Sequence, residues 1–214
     1  MKKINESEEK ERIYKMYEIE RACREKGFKC IAGVDEAGRG PLAGSVYSAA
    51  VILPEDVYIE GINDSKKLSE KKREELFDVI CEKAIAYSIA ECNEGRIDEI
   101  NILNATFEAM NRAVNGLNIK PDYVLVDGNR INGMDIPHET VVKGDAKSIS
   151  IAAASILAKV SRDRAICEAA KEYPLYGFEK HKGYGTKAHC EALLKYGPCK
   201  IHRKTFIGKI IGAK

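Results

Sequence analysis

An α/β domain, a sheet flanked by helices, is what this sequence predicts, on three observations. Five short apolar, β-rich runs are spread along the chain, segments of helical period lie among them, and turn-forming or acidic residues close most of the runs. With 214 residues, 44% of them hydrophobic, the chain can bury one sizeable core.

Glu6 to Lys26 carries apolar residues near helical spacing (Ile13, Met16, Tyr17, Ile19, Ala22) and stops at Gly27, which predicts one N-terminal helix within segment 1–27. Phe28–Asp35 and Ser45–Leu53 read as strands, the second stopped by Pro54, and the link between them carries acids. Ser69 suits the N-cap of a helix through SEKKREELFDVICEKA, after which Ile85–Cys92 is a third strand. Glu94–Asn115 repeats Ile97, Ile100, Leu103, Phe107, Met110 and Val114 at helical spacing. Tyr123–Val126 is short enough to be a fully buried strand, and Thr140–Val142 is another. From Ser148 to Tyr173 the chain is alanine-rich, so its helix can sit very close to a sheet, and Pro174 and Gly177 end it. Further helices are expected at Lys187–Tyr196 and Phe206–Ile211, within a C-terminal segment 179–214 that follows the main domain, 28–178.

The formal net charge of +2 conceals an asymmetry. Residues 180–214 hold nine Lys or Arg against the single acid Glu191, a balance of +8 that leaves −6 for the rest. Such a tail points to a polyanionic partner, with a solvated basic helix as the plainer alternative. DSKKLSEKKR, Asp64 to Arg73, is a second basic cluster. No apolar run approaches the roughly 20 residues of a membrane span, and MKKINESEEKERIYK is too charged for a signal peptide, so a cytoplasmic protein with no membrane partner is expected. Seven cysteines without a Cys-x-x-Cys pair read as reduced thiols, not as a zinc site.

Three of the strands end in carboxylates: GVDE at Asp35 and Glu36, VLVDG at Asp127, and VVKGD at Asp145. Any one acid could be a cap or turn former. Together they are harder to dismiss. If the strands lie side by side the four converge, and like charges at close range demand hard cations; oxygen ligands without His or Cys suit Mg²⁺ or Mn²⁺. Two such ions about 4 Å apart are the usual clamp for phosphodiester hydrolysis. Two other motifs fail on context. Gly38 to Gly44 lacks the spacing and the following helix of a dinucleotide loop, and Gly144-Asp145-Ala146-Lys147-Ser148 lacks the glycine of a phosphate-binding loop.

Asp35-Glu36-Ala37-Gly38-Arg39-Gly40-Pro41, Asp64-Ser65-Lys66-Lys67-Leu68, Asp127-Gly128, Lys143-Gly144-Asp145 with ISIAAASILAKVSRD, and HKGYGTKAH together resemble bacterial ribonuclease HII, in order from about Ile31 to Phe206. Ribonuclease HIII, which lacks the Gly-Arg-Gly motif, is the poorer match. The resemblance implies an RNase H-like fold, a five-stranded mixed sheet with three antiparallel strands first, flanked by helices and completed by the helical C-terminal segment. It implies that Asp35, Glu36, Asp127 and Asp145 are the catalytic, metal-binding acids for two Mg²⁺ or Mn²⁺ ions, and that the Gly-Arg-Gly loop is Gly38, Arg39 and Gly40. It implies that Tyr184 stacks beneath the sugar at the junction. The activity implied is cleavage on the 5′ side of a ribonucleotide embedded in duplex DNA, and of RNA in RNA–DNA hybrids, leaving 3′-hydroxyl and 5′-phosphate ends and initiating ribonucleotide excision repair.

Glycines let the backbone approach a 2′-hydroxyl closely, and Arg39 can fork onto a phosphate. Ser65 and Lys66 are expected on the phosphate backbone, and the Tyr184 ring is expected to be exposed. His181, His189 and His202 are expected to be structural or to contact phosphate. A monomer is expected, with a sliding-clamp contact open. The one departure from the resembled pattern, Ser45 at a strand start, touches nothing catalytic. A binding protein that had lost its chemistry would lack an acid, and none is missing; a junction resolvase on the same scaffold would cut without a ribonucleotide.

Overall fold

A computed structural model describes residues 5–212. Five strands form one mixed sheet: β1 Ile31–Ala37, β2 Val46–Ile52, β3 Ala86–Cys92, β4 Tyr123–Asp127 and β5 His138–Val141. Their order is β3-β2-β1-β4-β5. The first three are antiparallel to one another, and β4 and β5 join parallel to β1, as the resemblance implies.

Eight helices surround the sheet: α1 Glu6–Lys15, α2 Glu18–Glu25, α3 Glu70–Lys83, α4 Glu94–Asn115, α5 Ile149–Glu172, α6 Phe178–His181, α7 Lys187–Tyr196 and α8 Lys204–Ile211. Alternation along β2 divides the core. Ala49 and Val51 pack with Ile80 of α3 and Ile156 of α5, whereas Ala50 and Ile52 pack with Met110 and Val114 of α4. The alanine-rich α5 lies directly on β1. A Cβ at Gly33 would fall 2.2 Å from the Ser150 carbonyl carbon, so only glycine permits that approach.

Several expected boundaries move. The N-terminal helix is two helices, broken at Met16 and Tyr17, which turn inward with Ile13 to join the main core. Buried Glu20 of α2 accepts hydrogen bonds from the Ser148 and Ser150 hydroxyls at the start of α5, at 2.6 and 2.7 Å. Phe28 to Cys30 are not strand: Asp122 takes the Lys29 and Cys30 N–H groups instead of a ladder partner. β1 continues to Ala37 because β2 pairs with it that far, so Asp35 and Glu36 lie in the strand and not in a link. α4 is interrupted at Asn101, whose φ of 66° is non-helical and whose carboxamide oxygen caps the Leu103 and Asn104 N–H groups. β5 is a half-buried edge strand ending at Val141, so Asp145 sits on a following 3₁₀ turn, Gly144–Ala146, and not at a strand end.

Candidate active site

Register delivers the first two acids. β1 and β4 run parallel with Val34 beside Val126, so Asp35 and Asp127 come next on neighbouring strands and point to the same face. Glu36 points to the other face. There it meets a cleft lined by Arg39, Leu103, Phe107, Asp127 and Arg130. At the strand ends the three still meet: carboxylate oxygens of Asp35, Glu36 and Asp127 all lie within 4.8 Å of one another.

Asp145 borders this trio without being one of its three members. The Gly144 N–H donates to Asp127 at 2.6 Å, which ties the 3₁₀ turn to β4, and the Asp145 carboxylate stands 3.6 Å from the Lys66 ammonium. The fourth acid is therefore adjacent, shared between the cluster and a lysine.

The electrostatics are those of a cluster short of positive charge. Burial, then Glu36 and Asp127, push the Asp35 carboxyl well above the usual carboxylate range, with the Ser155 hydroxyl easing it slightly. Burial raises Glu36 too, against the pull of Arg39. Burial, Asp64 and Asp127 raise Asp145. On Lys66 burial acts downward, but Asp145, Asp35, Asp64 and Asp127 together lift it. One exposed lysine, Lys66, and a half-exposed arginine, Arg39, 3.6 Å from Glu36, do not neutralise the group. Oxygen donors at this spacing, their charge not neutralised by the protein, fit hard divalent cations.

Around the acids the expected residues divide. Gly38, buried and at φ +99°, leads to exposed Arg39 and Gly40. Tyr184 is 43% exposed and faces the same loop, its ring edge 3.7 Å from where a Cβ on Gly40 would stand. Lys66 is exposed beside the acids. Ser65 is not available as expected: it is buried, and its hydroxyl pairs with Ser155 at 2.9 Å, so it braces the floor under Asp35 and offers no side chain to a phosphate. Lys159 is committed to Asp163 at 2.7 Å. His189 and His202 are buried and bonded to each other at 3.1 Å, with no access to substrate. Sequence reasoning counts Arg203 with the basic tail and passes over Arg162 inside the ISIAAASILAKVSRD block, and it foresees the burial of neither. Arg162 and Arg203 are buried beneath the Gly-Arg-Gly loop, and as single arginines in charged stretches they carry no local signal.

This sheet order, with acids at the ends of adjacent β1 and β4, defines the class of RNase H-like nucleases. The sequence profile of the family Ribonuclease HII matches residues 32–209, and the chain belongs to that family. A ribonuclease HII from Acetivibrio thermocellus is 55% identical over 210 residues, covering 98% of this chain and 82% of its own. Among solved structures, the ribonuclease H2 of Pyrococcus horikoshii superposes with a TM-score of 0.71 at 30% identity, covering 86% of this chain and 98% of that one. A PCNA:RNase HII complex from Archaeoglobus fulgidus gives 0.68 at 26% identity, covering 82% and 94%. The protein is accordingly a ribonuclease H, an endoribonuclease acting on RNA in RNA–DNA hybrids. Among the described residues no helix is long and apolar enough to cross a membrane.

Proposed function

We propose that the protein also hydrolyses the phosphodiester on the 5′ side of a single ribonucleotide embedded in duplex DNA, leaving 3′-hydroxyl and 5′-phosphate ends, and so starts ribonucleotide excision repair. The observation that carries this is the convergence of Asp35, Glu36 and Asp127 within 4.8 Å, with Asp145 alongside, next to a loop of small residues and an exposed tyrosine. Asp35, Glu36, Asp127 and Asp145 would hold two Mg²⁺ or Mn²⁺ ions. When bound, such a pair activates the attacking water and stabilises the departing oxygen.

The chain's own groups do the rest. Residues 38–40 bring main chain close to the ribose, where a 2′-hydroxyl distinguishes RNA from DNA. Arg39 holds a phosphate by its fork of donors, Lys66 supplies a mobile charge at the backbone, and Tyr184 offers its face to the sugar at the junction. The basic C-terminal segment 179–214 completes the substrate site on the catalytic domain, 28–178. The solved PCNA:RNase HII complex of the Archaeoglobus fulgidus neighbour supports a sliding-clamp contact. A monomeric, cytoplasmic enzyme completes the proposal.

Gel cleavage of a duplex containing one ribonucleotide, against an all-DNA duplex, with and without Mg²⁺, tests the reading. The expected result is one incision 5′ of the ribonucleotide, lost in chelator. Incision of all-DNA duplex, or full turnover in chelator, contradicts it.

A further inference from the structure

Arg203 is fully buried, and its guanidinium donates to main chain only: Nε to the Gly44 carbonyl at 2.9 Å, Nη1 to Arg39 and Pro41 at 3.0 and 2.9 Å, and Nη2 to Gly38 at 2.6 Å. Four carbonyls between Gly38 and Gly44, two of them in the Gly-Arg-Gly loop, are thereby turned inward onto one cation. In a trans peptide the N–H of the next residue points the opposite way, so fixing the Gly38 and Arg39 carbonyls inward aims the Arg39 and Gly40 N–H groups outward. Among the described residues neither N–H has an acceptor in the protein, and both residues are exposed.

The neighbouring residue grips the opposite wall. The Cys199 N–H donates to His202 Nδ1 at 3.0 Å, which places the His202 proton on Nε2. That proton goes to His189 Nε2 at 3.1 Å, leaving His189 Nδ1–H to donate to the Tyr184 carbonyl at 2.9 Å. Burial favours the neutral form of both rings, as this chain of bonds requires. Direct stitches join the two walls: Leu42 N–H to the Gly183 carbonyl at 2.8 Å, and Arg203 N–H to the Leu42 carbonyl at 2.9 Å.

We propose that Arg203 is a positioning residue for substrate recognition: it sets the outward aim of the Arg39 and Gly40 N–H groups, at a spacing from Tyr184 that the adjacent His202–His189 chain holds fixed. The proposal rests on the substrate role given above to the Gly-Arg-Gly loop and Tyr184. Arg203→Lys keeps the charge but cannot reach four acceptors, and Arg203→Met removes every donor at similar bulk. Steady-state cleavage of the single-ribonucleotide duplex in Mg²⁺, with thermal melts alongside, should show KM raised about tenfold in R203K and further in R203M. The kcat should stay within about threefold of the parent, because Asp35, Glu36 and Asp127 lie on β1 and β4 and Asp145 on the turn tied to β4, and none of them is bonded to Arg203. A folded variant with a lower Tm and an unchanged KM overturns the proposal, and so does failure of both variants to fold, which would make Arg203 a determinant of the whole domain. Arg39→Ala and Tyr184→Ala, measured in parallel, separate the two readings. If they raise KM while the Arg203 variants do not, only the positioning role fails; if they leave KM unchanged, the substrate assignment itself is wrong.

Discussion

Two clusters of polar side chains in this molecule are treated in opposite ways. At the ends of β1 and β4, Asp35 and Glu36 sit with Asp127 at mutual distances under 4.8 Å, and their carboxyls are raised by burial and by each other. In the C-terminal segment, Arg203, His189 and His202 are buried more completely, yet each finds main-chain or ring partners at 2.6 to 3.1 Å. The difference separates site from scaffold. Uncompensated like charge costs stability and is retained where chemistry uses it, whereas satisfied polar groups fix geometry.

Breaking the first region should produce the largest effect. Asp35→Asn is expected to lower cleavage by a thousandfold or more, about 4 kcal/mol in the barrier, while raising the melting temperature, since a buried charge among like charges is removed. Gel cleavage and a thermal melt check both halves, and a variant that loses stability along with activity would show that Asp35 belongs to the scaffold.

Acid sharpens the contrast, because the regions respond with opposite sign. His202 is pulled down to about 4 by burial and by His189, from an ordinary value near 6.5, in a nest with His189, Tyr176, Phe178 and Cys199. The unfolded chain therefore takes up the proton first. Stability from this group is fully present above about pH 6.5 and is lost as pH falls through 4, by up to about 3 kcal/mol. The raised carboxyl of Asp35 works the other way, its repulsion fading as protons arrive. Melts from pH 7 to pH 4.5 should fall more steeply in Asp35→Asn than in the parent; equal slopes would mean that the two regions do not titrate as described.

A smaller effect divides the recognition loop itself. At Gly38 an added Cβ would meet the Arg162 Nε at 2.3 Å in a positive-φ conformation, and Gly38→Ala should cost about 2 kcal/mol. At Gly40 it would meet only the Tyr184 ring, at 3.7 Å, so Gly40→Ala should leave stability within about 0.5 kcal/mol and act through substrate alone. Comparable losses of Tm in both variants would remove that distinction.

Much of the fold was legible from periodicity. β2, β3, α5 and α7 fall within a residue of their expected bounds, because burial on a sheet or helix face imposes a repeat on the sequence. The misplaced pieces depend on distant partners. β1 extends to Ala37 through its pairing with β2, Met16 and Tyr17 break the first helix to reach the core, and Asn101 caps a second helical half inside α4. In the site, acids and the tyrosine carried local signals. Ser65 gave the same signal as a surface serine, and Arg203 the same signal as its basic neighbours.

What the sequence alone determined was the chemistry available: carboxylates after buried strands, a glycine-flanked arginine, and a basic tail in a chain able to close one core. Only the tertiary structure decided which groups share a point in space. It put Asp127 beside Asp35 by parallel register, left Asp145 next to the trio, and turned Arg203 inward, because contacts between residues up to 165 positions apart are set by strand pairing and helix packing and leave no period in the chain.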